Sequence, residues 1–169
     1  MSDAIATILQ EAGRERVIIN HAAGASDDGR LALLKIRLFG DGTETYALLA
    51  NLAYWLVDCL GQAVAAGAIK DRRSDAAAGS PEAQQIALYG EARPEIAPAD
   101  WSAASHHIVT ELRAHAFGNA LGLQAILADG AEALLILPGQ VAILLLESLT
   151  LVAMYLVDRA HPPRSRSEH

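Results

Sequence analysis

Cysteine is nearly absent from this sequence: Cys59 is the single one among 169 residues, so no disulfide can form within the chain. An unpaired cysteine is typical of a reducing compartment, and we expect the protein in the cytoplasm. The first residues, MSDAIATILQEAGRER, carry acids early and lack a basic stretch followed by a long apolar run. They therefore do not resemble a secretory signal.

Basic residues are also scarce, with 13 Lys and Arg against 20 Asp and Glu and a formal net charge of −7. A nucleic-acid binder needs a basic face that neutralises phosphates, so this charge argues against that class. Trp55 and Trp101 are too few and too far apart for a base-stacking platform. The preference for Arg over Lys indicates GC-rich, bacterial coding. The acidity suits a basic partner protein.

The motifs of common enzyme classes are missing. The sequence contains no P-loop, no GxGxxG, no GxSxG and no CxxC. Cys59, beside Asp58 in an apolar segment, would be a poor nucleophile. The sequence therefore predicts no cofactor and favours a protein that is not an enzyme.

Apolar residues are abundant, at 52% of the sequence, which excludes intrinsic disorder and is enough for a core. Residues 46–69 and 141–157 approach the length of a membrane span. Each carries an acid near its middle, Asp58 or Glu147. Basic residues follow the C-terminal end of both, which would require a third span between them, and residues 74–139 offer none. We expect two long buried helices and no membrane.

Two Asp-Gly pairs, Asp28-Gly29 and Asp129-Gly130, lie between apolar stretches. This dipeptide favours the tight turn of a β-hairpin, because its second residue adopts a positive φ without strain. The predicted strands are residues 16–22 and 31–39 around the first turn, and residues 123–128 and 131–137 around the second.

The two halves of the sequence resemble each other. Residues 53–58 (AYWLVD) are similar to residues 153–158 (AMYLVD), and a short helical pattern precedes each hairpin, at 5–12 and 107–117. Each half therefore reads helix–strand–strand–helix, which indicates an internal duplication; chance similarity between two Ala- and Leu-rich helices is the alternative. The predicted fold class is α/β (α+β), with a small, mostly antiparallel sheet and two long buried helices.

These patterns predict a single globular domain over residues 1–160, with pseudo-repeats 1–70 and 105–160 joined by a linker at 71–104. The linker contains a small, polar stretch and the proline-containing segment ARPEIAPAD, which should be extended. Residues 161–169 should form a disordered tail. A helix that is apolar nearly all round must be covered on most sides, so a homodimer or higher oligomer is expected.

The best candidate metal site is His107, Glu111 and His115 in HHIVTELRAHAF. In the helix predicted over this segment, spacings of four place all three on one face, and imidazole with carboxylate suits zinc or iron. Three residues over eight positions spread about 12 Å along a helix, too far for one ion. A site would need further ligands such as His21 or Asp100. Ordinary histidines on a wet helix face are the alternative.

Asp58 and Glu147 form the second candidate set. An acid within an apolar helix is either a buried polar group, paired for instance with Arg37 or Arg113, or a polar position that faces an interface.

The sequence favours a non-enzymatic, acidic protein-interaction module, such as a bacterial immunity (toxin-inhibitor) protein or a secretion-type chaperone. The alternatives are a metal-dependent enzyme that uses His107, Glu111 and His115, and a structural, self-assembling protein.

Overall fold

The protein folds into one six-stranded sheet with, in the residues described, three helices. The computed structural model describes residues 16–39, 42–70, 94–117 and 120–160. The strands are β1 (Ile18–Ala25), β2 (Leu31–Leu38), β3 (Thr43–Leu49), β4 (Ile108–Phe117), β5 (Ala120–Leu127) and β6 (Glu132–Pro138). The helices are α1 (Ala50–Ala65), α2 (Pro98–Ala104) and α3 (Gly139–Ala160). The predicted helix at 5–12, much of the predicted linker and the predicted tail at 161–169 lie outside the described residues.

The strands lie across the sheet in chain order. Neighbours pair antiparallel, except for the parallel pair of β3 and β4 at the centre. An isolated parallel bridge joins Val17, just before β1, to Ile136 in β6. The first and last strands therefore approach each other, which means that the sheet is strongly curved.

Both hairpins predicted from the Asp-Gly pairs are present, as β1–β2 and β5–β6. Gly29 has φ 73° and Gly130 has φ 86°, a region that favours glycine. Gly29 is constrained a second time, because a Cβ at this position would lie 2.5 Å from the Cβ of Arg159. The first turn thus packs directly against the end of α3.

Helix α3 supplies much of the main hydrophobic core. Its first turn, residues 139–142, is buried throughout, and from Ala142 onwards its buried residues follow one another at spacings of three or four, so they form one stripe along the helix. Within that stripe Leu145, Leu149 and Leu156 are fully buried. The helix contacts β1 and β2 near one edge of the sheet and β5 and β6 at the other, and α1 packs beside it. Helix α1 turns Ala53, Leu56 and Leu60 towards the same core.

Helix α2 packs over a second, smaller cluster, built on Leu33, Ala47 and Ala104. Asp100 holds it in place: its carboxylate accepts the backbone N–H of Ala97 at 2.6 Å and lies 3.0 Å from the ammonium of Lys35. The hydrogen bond from Ala97 and the contact with Lys35 lower the pKa of Asp100. The prediction that this segment is extended is wrong from Pro98 onwards, where α2 begins at a proline.

The mixed α+β class is confirmed, but two parts of the predicted architecture are not. The predicted long helix at 46–69 is wrong at its start, since Tyr46 to Leu48 are buried within β3. A run of apolar residues without alternating polar ones does not distinguish a buried strand from a helix. Helix α1 therefore has 16 residues, against 22 in α3. The predicted helix at 107–117 is wrong as well, because β4 occupies it. Two similar helix–strand–strand–helix halves are not confirmed. Three strands, β1 to β3, precede α1, and three more, β4 to β6, lie directly before α3.

Of the described helices, α3 alone has the length and composition to cross a membrane, with a mean hydropathy of 2.0 over an 18-residue window. The core helix of a globular protein passes the same test. Here one face of α3 is packed against both ends of the sheet, and crossing a membrane would require that core to open. The fold is that of a globular protein.

The two faces of α3 predict effects of very different size for the same substitution. Leu149→Ala, at a fully buried position, should lower the free energy of unfolding by about 2–5 kcal/mol, because it leaves a cavity in the core. Leu151→Ala, on the outer side, should change it by less than about 0.5 kcal/mol. Urea denaturation of the two variants checks this, and equal losses would mean that α3 packs differently.

Candidate interaction surface and polar cluster

The side of α3 that faces away from the core carries large apolar side chains. Leu151 is 70% exposed and Met154 is 60% exposed. A shallow hollow of about 280 Å³ adjoins them, lined by Ala25, Leu151, Val152 and Tyr155. Single exposed apolar residues are normal on a protein surface, whereas adjacent ones on one helix face are typical of a contact site.

Two carboxylates bracket these apolar residues. Glu147, Leu151, Met154 and Asp158 are spaced by four, three and four residues, so they lie along one line on the helix. We name this line the α3 outer face. Each acid stands about 6 Å along the axis from the nearer apolar residue. The surface therefore has an apolar centre with a carboxylate at each end, and at the Asp158 end the guanidinium of Arg159 lies 5.3 Å from the centre of the Tyr155 ring.

Asp58 and Glu147, the acids predicted to be buried or at an interface, are both exposed. The interpretation as buried acids is wrong, because α1 and α3 each bury one stripe and turn their acids to the opposite side. The interface interpretation stays a prediction, and it places Glu147 on the α3 outer face. Cys59, next to Asp58, is partly buried, and burial raises the pKa of its thiol.

The candidate metal ligands are not brought together. His107 precedes β4, and Glu111 and His115 lie on that strand, where four residues span about 13 Å. Glu111 instead accepts a hydrogen bond from Arg113 at 2.9 Å. Across the described ranges, no three His, Cys, Asp or Glu side chains are close enough to hold one ion.

A polar cluster that the sequence did not reveal lies at the start of β3. Arg16 forms a two-pronged ion pair with Glu44, at 2.6 Å from Nη1 to Oε1 and 3.1 Å from Nη2 to Oε2. The hydroxyl of Tyr46 donates a short hydrogen bond to the same carboxylate. The ring of His107 lies 5.8 Å from that of Tyr46, and its Nδ1 is 3.1 Å from the carbonyl oxygen of Thr45. We name Arg16, Glu44, Tyr46 and His107 the Arg16 cluster.

The Arg16 cluster connects distant parts of the curved sheet. Arg16 Nε donates to the carbonyl oxygen of Leu134 in β6 at 2.9 Å, while the rest of its guanidinium holds Glu44 in β3. These strands are separated by β4 and β5 in the sheet order. One side chain bonds to both because the sheet curls back on itself.

The ionisation states of the cluster follow from these contacts. Burial raises the pKa of Glu44, but the hydrogen bonds from Arg16 and Tyr46 outweigh it, so the pKa lies below its ordinary value. Burial and the bond to Glu44 raise the pKa of Tyr46 well above its ordinary value. Glu44 is therefore charged and Tyr46 neutral throughout the physiological range.

Sequence reasoning missed this cluster because its members come from separate segments, and no spacing pattern relates Arg16, Glu44 and His107. The alternation of Glu44 and Tyr46 was the available signal, since residues two apart share one face of a strand. It was hidden by the assignment of residue 46 to a helix.

Comparison with protein-family models, with curated proteins and with solved structures gives no match. The function is therefore argued from the geometry of the surface and of the cluster.

The Glu44 carboxylate should make the free energy of unfolding depend on pH in the acidic range. Because its folded-state pKa is lowered, its contribution is fully present above the unfolded-state pKa of about 4.3 and is lost as the pH falls through the lower folded-state value. Glu44→Gln should cost about 1–2 kcal/mol of unfolding free energy at pH 7, and the difference from the wild type should shrink below pH 4. Urea denaturation from pH 7 to pH 3 measures it.

Glu111→Gln is the matched control, because Glu111 also pairs with an arginine but is about half exposed. It should cost less than about 0.5 kcal/mol at every pH. A pH-independent loss in Glu44→Gln would contradict the assigned role of the ion pair.

Proposed function

We propose that the protein is a non-enzymatic binding module that docks an amphipathic segment of another protein on the α3 outer face. The observation that carries this proposal is the exposure of Leu151 and Met154, at 70% and 60%, on a helix whose other side forms the core. Burying such a side chain contributes about 1.5–3 kcal/mol. Two of them supply the apolar centre of a modest interface.

The charge of the surface indicates the chemistry of the partner. Glu147 and Asp158 stand at the two ends of the apolar centre, and the whole chain carries a net charge of −7. A partner segment with Lys or Arg on either side of its apolar residues would complement both ends. A second copy of this chain, which the sequence analysis also suggests, would bring the same net charge. A basic partner is therefore favoured at this face.

An inhibitor of a basic toxin and a chaperone that holds a basic cargo segment would both use such a surface. Both belong to the interaction classes that the sequence favours. The cytoplasm is the compartment that we propose, since the sequence has no second cysteine to pair with Cys59.

A pair of designed peptides tests the proposal. One is a helix with a leucine face flanked by lysines, and the other has every lysine replaced by glutamate. The lysine peptide should bind at least about tenfold more tightly, and its affinity should fall with added salt. The double variant Leu151→Ser/Met154→Ser should weaken binding by about tenfold or more, as measured by fluorescence anisotropy.

Phe39→Ser is the control, because Phe39 is 42% exposed and lies after β2, at the opposite end of that strand from the turn that contacts α3. It should leave the affinity unchanged. Equal binding of the two peptides, or no effect of the double variant, would refute the proposal. Light scattering that shows a dimer lost in the double variant would assign the face to a second copy instead.

A further inference from the structure

The side of β5 and β6 that points away from the core carries apolar side chains. Leu123 pairs with Leu135, and both are buried in the main core. Because side chains alternate along a strand, the residues next to them point to the other side of the sheet. We name this side the β5–β6 outer face and define it by four partly buried residues that lie next to core positions: Gln124, Ile126, Leu134 and Ile136.

Three of these four residues are large and apolar, which a face in water does not explain. An antiparallel sheet with one face in water usually has polar side chains on that face. Ile126, Leu134 and Ile136 stand there instead, and none of them belongs to the two apolar clusters formed by the described residues. Their position therefore indicates a face that a further apolar segment covers.

The outward side of β2 and β3 shows how such a cover is arranged. Leu33 and Ala47 point outwards there, yet both are buried because α2 packs over them. Helix α2 ends three residues before β4 begins, and β4 runs parallel to β3, with Ala47 paired to Ile108. The covering helix therefore precedes the strand that lies parallel to the covered one.

Strand β6 also has a parallel neighbour. Val17, just before β1, bridges to Ile136 in parallel, and Arg16 donates from Nε to the carbonyl oxygen of Leu134. The chain therefore enters β1 alongside β6. By the arrangement seen at β3, the segment that precedes Arg16 is the one placed to cover the β5–β6 outer face.

The sequence before Arg16 has the pattern that this role requires. The helix predicted at residues 5–12 has apolar residues at spacings that place them on one side: Ile5, Ile8, Leu9 and Ala12. Its eight residues make a helix of about 12 Å, close to the length of α2. Three residues, 13–15, connect it to Arg16, and three residues also connect α2 to β4.

We propose that residues 5–12 of this chain form a helix that packs on the β5–β6 outer face. Its apolar side contacts Leu134 and Ile136, as α2 contacts Leu33 and Ala47. The β5–β6 outer face is then an interface within the chain, and the α3 outer face remains the surface for a partner. A second copy of the chain on the same face is the competing assignment.

A cysteine placed on the covered face tests this inference. In a chain that carries Cys59→Ser, the thiol of Leu134→Cys is the only one, and its rate of reaction with a thiol reagent reports how well it is covered. The further change Ile8→Ser/Leu9→Ser should raise this rate at least about tenfold, because it removes the apolar side chains that hold the helix in place.

Two controls accompany this measurement. Thr7→Ser/Gln10→Ser places two serines on the opposite side of the predicted helix and should leave the rate at Leu134→Cys unchanged. Ala47→Cys, in the same Cys59→Ser chain, lies under α2 and should stay slow to react with and without the serines at the apolar positions. It shows whether the loss of cover is confined to the β5–β6 outer face.

A nitroxide attached to Gln10→Cys locates the segment without altering its apolar side. In the Cys59→Ser chain, it should broaden the amide signals of Gln124 and Leu134 in two-dimensional NMR more strongly than that of Leu33. The reason is that paramagnetic broadening falls steeply with distance, and Leu33 lies under α2 on the other covered face.

Each contrary outcome overturns the proposal. A Leu134→Cys rate that Ile8→Ser/Leu9→Ser leaves unchanged, or broadening as strong at Leu33 as at Leu134, would remove the segment from this face. A Leu134→Cys rate that rises on dilution of the protein would assign the cover to a second copy. If Ala47→Cys also becomes reactive, the serines have opened the whole fold, and the nitroxide measurement decides.

Discussion

The packing of α3 between the two ends of the curved sheet determines where both candidate sites lie. One stripe of the helix, including Leu145, Leu149 and Leu156, is fully buried in the core. Because the helix contacts β1 and β2 as well as β5 and β6, the sheet must curl around it. That curvature brings β6 towards β1 and β3, and Arg16 can then bond to Glu44 and to Leu134 at once.

The same packing leaves the other side of α3 in water. A helix of 22 residues that buries a single stripe must expose its remaining positions, and here those positions include Leu151 and Met154. Within the described residues, Leu151 and Met154 are mostly exposed, so packing there does not account for their apolar character. We propose an external partner as the reason for it, in keeping with Glu147 and Asp158 at the two ends.

The sequence predicted those parts of the fold that depend on local chemistry. The Asp-Gly turns were found because a positive φ at Gly29 and Gly130 is a property of a single residue. Strand β3 was misassigned, because burial on both faces removes the alternation that identifies a strand. The acids were misplaced for a related reason, since a helix that is apolar nearly all round does not show which side is covered.

The polar cluster was beyond prediction because it depends on the long-range register of the sheet. The contacts within it move the pKa of Glu44 down and that of Tyr46 up, so neither of these two groups exchanges a proton near neutral pH. Cys59, at a separate site, has a raised pKa as well. The fixed charges of Arg16 and Glu44, together with the bond from Arg16 to Leu134, therefore tie the start of β3 to β6.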